Sequence, residues 1–390
     1  MKRVGLSIIN NNNFQKSKIT TFFNQLDLKK VKKYHQSIGI KETPLLTLKN
    51  LAKRYNVGNI YIKDESKRHN MNAFKILGSS YAMHREIKKH TKLKEFCTAT
   101  DGNHGKSVAR MAREMGKKST IFVPKDTVQD RIKMIKGEGA KVIKTRGNYD
   151  QTVNIAKDYV YNINQNLKYL KCSLIQDTAW DGYNLIPFNI MKGYLTQIIE
   201  ISDQLLDKKI DFVFLQSGVG SWAASLVAYI QKYWEYQPLI YSVEPFSANC
   251  VFKSIACGDR VSVTDNGETI MAGLNCGTVS KIAWPILKNG LKGAISIKDN
   301  LVEEAMKVLA HPLDDDTPII SGESGASPLA AIIGLKNILN QNRNINFSFS
   351  KKTNILIINT EGDTDKKNYD SIIQSLYEAF VRMIIYIYNI

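Results

Sequence analysis

Short apolar runs and helix-period stretches take turns along most of this chain, and that alternation constrains its fold more than any other feature. Asn59–Lys63, Lys94–Thr100, Ser119–Val123, Lys141–Lys144, Asp211–Leu215, Pro238–Glu244 and 354–359 have the length and β-branched or aromatic content of strands. Between them, Phe74–Lys89, Lys106–Met115, Gln129–Lys136 and 302–310 have helical spacing, with breaks at Pro124, Gly137 and Gly139. Parallel strands require a crossover between neighbours, and helices of this size supply it. The expected class is therefore α/β with parallel-rich twisted sheets. The stretch from about 94 to 200 makes one βαβα unit, and the strands at 211–215, 238–244 and 354–359 belong to a second. Residues number 390, and 43% of them are hydrophobic, enough for two lobes with real cores.

Composition excludes several functions. The net charge of +18 suggests nucleic acid, but the lysines are scattered. The densest cluster is Lys29-Lys30-Val31-Lys32-Lys33, and no aromatic-interleaved basic ribbon or zinc-ligand spacing accompanies it. A solvated basic surface is expected, with no nucleic acid partner and no metal. No run of about 18 apolar residues is present to span a bilayer, and the N-terminus has too short an apolar run for a signal peptide. No membrane partner is expected, and a cytoplasmic location is the default. The asparagines at 10–13 suggest a mobile patch. Among the five cysteines there is no CxxC pair, although a bridge between Cys250 and Cys276 is open.

Three motifs carry chemistry. Lys75, in Asn72-Ala73-Phe74-Lys75-Ile76-Leu77-Gly78, is a lysine among apolar neighbours. Such a side chain is either a surface lysine lying along its stem or an amine whose charged form burial disfavours. Strand 212–215 runs into Gln216-Ser217-Gly218-Val219-Gly220-Ser221 and a helical stretch, a loop that offers free N–H groups and a helix dipole to a phosphate. The same string fits a dinucleotide fingerprint, Gly218-x-Gly220-x-x-Ala223, with Glu244 ending the next strand where a ribose partner would stand. Thr100-Asp101-Gly102-Asn103-His104-Gly105 joins a strand to a helix, where side chains face a ligand between lobes. His104 reads more readily as a satisfied structural histidine than as a catalytic one. Asp177, in Gln176-Asp177-Thr178-Ala179-Trp180-Asp181-Gly182-Tyr183, is a second candidate carboxylate or a helix N-cap.

Taken together, these strings resemble the fold-type II pyridoxal-phosphate enzymes, the tryptophan synthase beta-like group. Gln176–Tyr183, Ile270–Gly277, Ser321–Ala326 and Thr360–Asp365 narrow the resemblance to the diaminopropionate ammonia-lyase family, over about 36–373. The resemblance implies two three-layer αβα lobes with pyridoxal 5'-phosphate in the cleft between them. It places a large cofactor-binding domain at 36–93 plus 201–373 and a small domain at 94–200. A partly mobile N-terminal extension (1–35) and an apolar C-terminal one (374–390) flank them. Lys75 falls at the Schiff-base lysine, Asn103 at the partner of the ring hydroxyl, and Ser217, Gly218, Val219, Gly220 and Ser221 at the phosphate. Thr360 falls against the pyridine nitrogen. The implied reaction is α,β-elimination of 2,3-diaminopropionate to pyruvate and two ammonia, with Asp101 as base for the D isomer and Asp177 for the L isomer. Dehydratases of the same fold usually carry a small neutral residue where Asp101 stands, and a carboxylate there suits a β-ammonium group better than a β-hydroxyl. The alternatives are a serine or threonine dehydratase, or a protein that binds the cofactor and an amino acid without turnover. A homodimer is implied as well.

Overall fold

The structure, a computed structural model, describes residues 5–15, 22–100, 102–263, 267–341 and 347–374. The chain opens with β1 (Leu6–Asn10), α1 (Gln25–Ser37), β2 (Leu45–Thr47), α2 (Lys49–Arg54), β3 (Asn59–Asp64) and α3 (Ile76–Lys89). A compact group follows: β4 (Glu95–Ala99), α4 (Asn103–Glu114), β5 (Lys118–Val123), α5 (Gln129–Gly137), β6 (Lys141–Lys144), α6 (Tyr149–Asn164) and β7 (Cys172–Leu174). Beyond it lie α7 (Leu185–Leu205), β8 (Phe212–Gln216), α8 (Ser221–Tyr233), β9 (Leu239–Pro245), α9 (Cys250–Cys257) and α10 (Trp284–Gly290). The last elements are β10 (Gly293–Ile297), α11 (Asp299–Ala310), α12 (Glu323–Asn340) and β11 (Asn354–Asn359).

These strands form two sheets. A seven-stranded sheet has the order β1-β10-β9-β8-β11-β3-β2, and a four-stranded sheet the order β6-β5-β4-β7. All pairings are parallel except the two edges of the large sheet, β1 on β10 and β2 on β3. The strand sequences explain why both faces are covered. In β8, Val213 and Leu215 point into a core shared with α3, α7 and α8, while Phe212 and Phe214 point into a second core with α11 and α12. In β11, Leu356 and Ile358 take the first side and Ile355 and Ile357 the other. Such a strand has no polar face to offer water, so helices must cover both sides. Each Val, Leu, Ile or Phe buried this way contributes about 1.5–3 kcal/mol. The small sheet repeats the pattern, with Phe96 and Ile121 toward α4 and α5, and Cys97 and Phe122 toward α6.

Two readings of the N-terminal region change. Asn11 is buried, and its Nδ2 donates to the carbonyls of Lys288 and Leu291 at 2.7 Å each. The asparagine patch is therefore pinned there, because Asn11 satisfies carbonyls at the C-terminal end of α10. Residues 6–10 are built into the large sheet as an edge strand. Position 200 lies inside α7, which packs on α3 and α8. Gly193 of α7 permits this packing, since a Cβ there would stand 2.2 Å from the Leu77 carbonyl oxygen. Cys250 and Cys276 are not bridged by a disulfide. The apolar run 375–390 lies outside the described residues, and no described helix is long and apolar enough to cross a membrane.

Candidate active site

Parallel sheets collect loops at the carboxyl ends of their strands, and the candidate residues follow those ends. Asn103 comes after β4, Asp177 after β7, Ser217 after β8 and Thr360 after β11, while Lys75 follows β3 through a short coil and 3₁₀ segment. All five line one cleft of about 930 Å³, open mouth included. Asp101 lies outside the described residues.

Lys75 immediately precedes the first turn of α3, and its Nζ is 2.8 Å from Asp177 Oδ2. The apolar neighbours had suggested an amine that favours its neutral form. Burial does push in that direction, but the adjacent carboxylate outweighs it and holds the Lys75 ammonium above the usual lysine range. For Asp177, burial pushes the carboxyl up, yet Lys75 and His104 overcome it and bring it down to about 2. Asp177 is not a helix N-cap, because the next helix starts at Leu185 with Asn184 in the cap position. Its turn is fixed from both sides. Gln176 Oε1 accepts from Thr98 Oγ1 at 2.9 Å and from Ala99 N at 3.1 Å, and Ser221 Oγ donates to the Asp177 carbonyl at 2.7 Å.

His104 is buried, and its Nε2 meets the Ile175 carbonyl at 2.7 Å. A carbonyl only accepts, so this nitrogen carries the proton and the second, Nδ1, is a buried acceptor without a partner. Burial lowers the imidazole below its usual range. The histidine is thus satisfied at one nitrogen only, and it lines the cleft. Asn103 Nδ2, expected to face a phenolic oxygen, donates to Glu361 Oε2 and so ties the start of α4 to the end of β11. Glu361 also accepts from Ser324 N at 3.1 Å.

The loop after β8 has the features of an anion cradle. Gly220 adopts φ 82°, a left-handed conformation that glycine accommodates without strain. The N–H groups of Gly218, Val219 and Gly220 meet no acceptor among the described residues, at the amino end of α8. Ser217 Oγ is buried with no partner. Orphaned donors at a helix N-terminus fit a phosphate. The dinucleotide alternative fails at Glu244, which is fully buried and accepts from Val251 N and Phe252 N, at 2.7 Å each. Both its oxygens serve the first turn of α9, leaving none for a ribose.

The floor of the cleft is Thr360. Gln216 Nε2 donates to Thr360 Oγ1 and to the Ile358 carbonyl, at 2.9 Å each. With its oxygen accepting, the Thr360 hydroxyl keeps its proton to donate into the cleft, as a pyridine nitrogen would need. Phosphate cradle, lysine amine and neutral hydroxyl together fit pyridoxal phosphate. Sequence reasoning had not singled out Gln216, Glu361, Tyr194 or Arg131, all of which line the cleft. Only Gln216 carried a local signal, as the last strand residue before the glycine loop.

Comparison with known proteins agrees with this geometry. The family model for pyridoxal-phosphate dependent enzymes matches residues 36–350. Diaminopropionate ammonia-lyase of Escherichia coli K12 is 36% identical over 387 residues, covering 94% of this chain and 96% of that protein. The Salmonella typhimurium enzyme of the same name is 38% identical over 360 residues, 85% of this chain and 87% of that one. The crystal structure of the E. coli enzyme in complex with D-serine superposes with a TM-score of 0.87 at 34% identity, covering 95% and 97% of the two chains. A protein with this cleft and these relatives belongs to the diaminopropionate ammonia-lyase family of pyridoxal-phosphate-dependent enzymes.

Proposed function

We propose that the chain eliminates both amino groups of 2,3-diaminopropionate, D and L, to give pyruvate and two ammonia. The single observation that carries this reading is the carboxylate of Asp177 standing 2.8 Å from Lys75 Nζ in a cleft that also holds a phosphate cradle. Pyridoxal phosphate, when bound, supplies the electron sink that makes a substrate α-proton acidic. Lys75 is the amine that would hold its aldehyde carbon. Ser217 and the N–H groups of Gly218, Val219, Gly220 and Ser221 would hold its phosphate, Thr360 would serve the ring nitrogen, and Asn103 the ring oxygen.

Asp177 is the base for the L isomer. While the Lys75 ammonium is beside it, a carboxyl near 2 is a poor base. Once Lys75 gives up its charge, the main lowering influence is gone and burial, the largest influence, pushes the carboxyl upward, toward the range where a base works. Asp101 is the base for the D isomer, and its negative charge suits the substrate's β-ammonium group. We further propose a cytoplasmic homodimer with a large domain at 36–93 plus 201–373 and a small one at 94–200, with α7, which spans the second boundary, packed on α3 and α8 of the large domain.

The test is an assay of purified protein with added cofactor on each isomer, following pyruvate and ammonia together. Two ammonia per pyruvate from both isomers is the expected result. Turnover of one isomer alone would remove one aspartate's role, and pyruvate from serine but not from diaminopropionate would overturn the substrate.

A further inference from the structure

Beside the Lys75–Asp177 pair stands a phenol with nothing to bond to. Tyr194, on α7, is 1% exposed and lines the same cleft, and its Oη has no hydrogen-bond partner among the described residues. The start of α3 sets its place. Lys75 and Gly78 lie three residues apart, on one face of that helix end. A Cβ on Gly78 would stand 2.6 Å from Tyr194 Cε1 and 2.7 Å from Cζ, so only glycine lets the hydroxyl end of the ring come up beside the lysine. Phe74 packs on the same ring, with centroids 5.1 Å apart. Burial holds the phenol above the usual tyrosine range against the pull of the Lys75 ammonium, and the Asp177 carboxylate adds to the rise. The hydroxyl therefore keeps its proton.

In the cofactor-free protein the Asp177 carboxylate has Lys75 Nζ at 2.8 Å. A lysine that has given up its charge no longer supplies that ion pair, and a buried carboxylate left without a donor is costly. The neighbouring side chains are already engaged. His104 gives its ring proton to the Ile175 carbonyl at 2.7 Å, and the Tyr183 hydroxyl donates to the Leu174 carbonyl at 2.6 Å. Tyr194 is the neighbour whose hydroxyl proton is unused. We propose that Tyr194 is a positioning residue for Asp177, its hydroxyl replacing the Lys75 ammonium as the carboxylate's donor once Lys75 has given up its charge. This role rests on the elimination reading above. The exchange holds the carboxylate in place for the substrate's α-proton. It also changes the strength of the base, because a neutral hydroxyl lowers a carboxyl less than an adjacent ammonium does. The D isomer, whose proposed base is Asp101, does not draw on it.

A double-mutant cycle in the cofactor-free protein tests the bond without any turnover. Lys75→Met takes the ammonium away from Asp177, and denaturant unfolding is compared for the wild type, Tyr194→Phe, Lys75→Met and the double variant. Beside an intact Lys75, removing the hydroxyl should change the unfolding equilibrium constant by less than about fivefold. In the Lys75→Met background it should raise that constant roughly 10- to 150-fold, as losing a hydrogen bond to a charged group implies. Equal effects in the two backgrounds overturn the proposal. The second readout is the pH profile of kcat/KM for each isomer of 2,3-diaminopropionate in the cofactor-loaded protein. Asp177 works in its ionised form, and losing a donor raises its pKa. The acid limb for the L isomer should therefore move up by about 1–2 pH units in Tyr194→Phe, while that for the D isomer stays in place. A shift shared by both isomers, or no shift, overturns the proposal. A coupled cycle in a protein that yields no pyruvate supports the bond and removes the elimination reading instead.

Discussion

Two clusters of buried polar groups differ in one respect. The first joins the end of β3 to α7. Arg68 makes paired bonds to Glu65, at 2.7 and 2.8 Å, and to Glu200, at 2.8 and 2.7 Å. Lys63 Nζ reaches Glu200 at 2.8 Å, the Thr43 carbonyl at 2.7 Å and Gln204 at 3.0 Å. Two cations meet two anions, and none of the four side chains has a buried polar atom left without a partner. The second cluster is the cleft, where Arg131 Nε, Ser217 Oγ, Gln216 Oε1 and His104 Nδ1 are all buried and unanswered. Burial is similar in the two, so burial does not separate them. A closed set of valences holds a segment of chain in place, here the one leading to Lys75, whereas an open set waits for ligands.

The sharpest way to break this contrast is at Lys75. Lys75→Ala should lower turnover by a factor on the order of 10⁴ or more, with loss of the cofactor's lysine-bound absorbance. An active Lys75→Ala protein would put the chemistry elsewhere. Asp177→Asn comes next, with a fall on the order of 10²–10⁴ for the L isomer while the D isomer is spared, read from the two rates measured separately. Equal losses would end the two-base scheme. In the closed cluster, Glu200→Gln should cost about 3–5 kcal/mol of stability and leave cofactor affinity unchanged, because it takes the paired carboxylate from Lys63 and leaves Arg68 with Glu65 alone. Denaturant unfolding beside a cofactor titration measures both, and a neutral result would show the network to be ornamental. The smallest effect is in the cofactor-free protein. Asp177 falls from its ordinary 3.8 to about 2, so its contribution, on the order of 2 kcal/mol, is complete above pH 3.8 and lost as pH falls through about 2. Acid unfolding should be less steep in Asp177→Asn over that window.

What could be read in the sequence was local, and what could not was made by contacts across long stretches of chain. The parallel α/β class followed from runs such as Phe212–Leu215 and Ile355–Ile358, whose apolar character on both faces needs no tertiary knowledge. Lys75 and the 217–221 loop stood out because each is spelled by adjacent residues. Glu361 was not recognised, since its meaning depends on Asn103, 258 residues away in sequence. Arg131 looks like any helical arginine until its burial in the cleft, with no ion pair among the described residues, is visible. Glu244 was open to a misreading because glycine spacing alone does not distinguish a phosphate loop from a dinucleotide loop, and only its hydrogen bonds to α9 decide it. Lys75 was read as an amine softened by apolar neighbours, because no pattern in the sequence announces that Asp177 arrives beside it.

The bond from Ser221 Oγ to the Asp177 carbonyl has a mechanical meaning. Asp177 follows a strand of the small sheet but is fastened to the loop after β8 of the large one. The fastening is doubled at Ser280, whose Oγ accepts from Ala179 N at 3.0 Å and whose own N–H donates to the Val219 carbonyl at 2.8 Å. The cradle and Asp177, the base proposed for the L isomer, are thus a single casting, while Asn103 and Arg131 stand on α4 and α5 beside the small sheet. Any tremor in the cradle is passed to one hand of the substrate and muffled for the other, so Ser221→Ala should show itself first as a change in the ratio of the two isomers' rates.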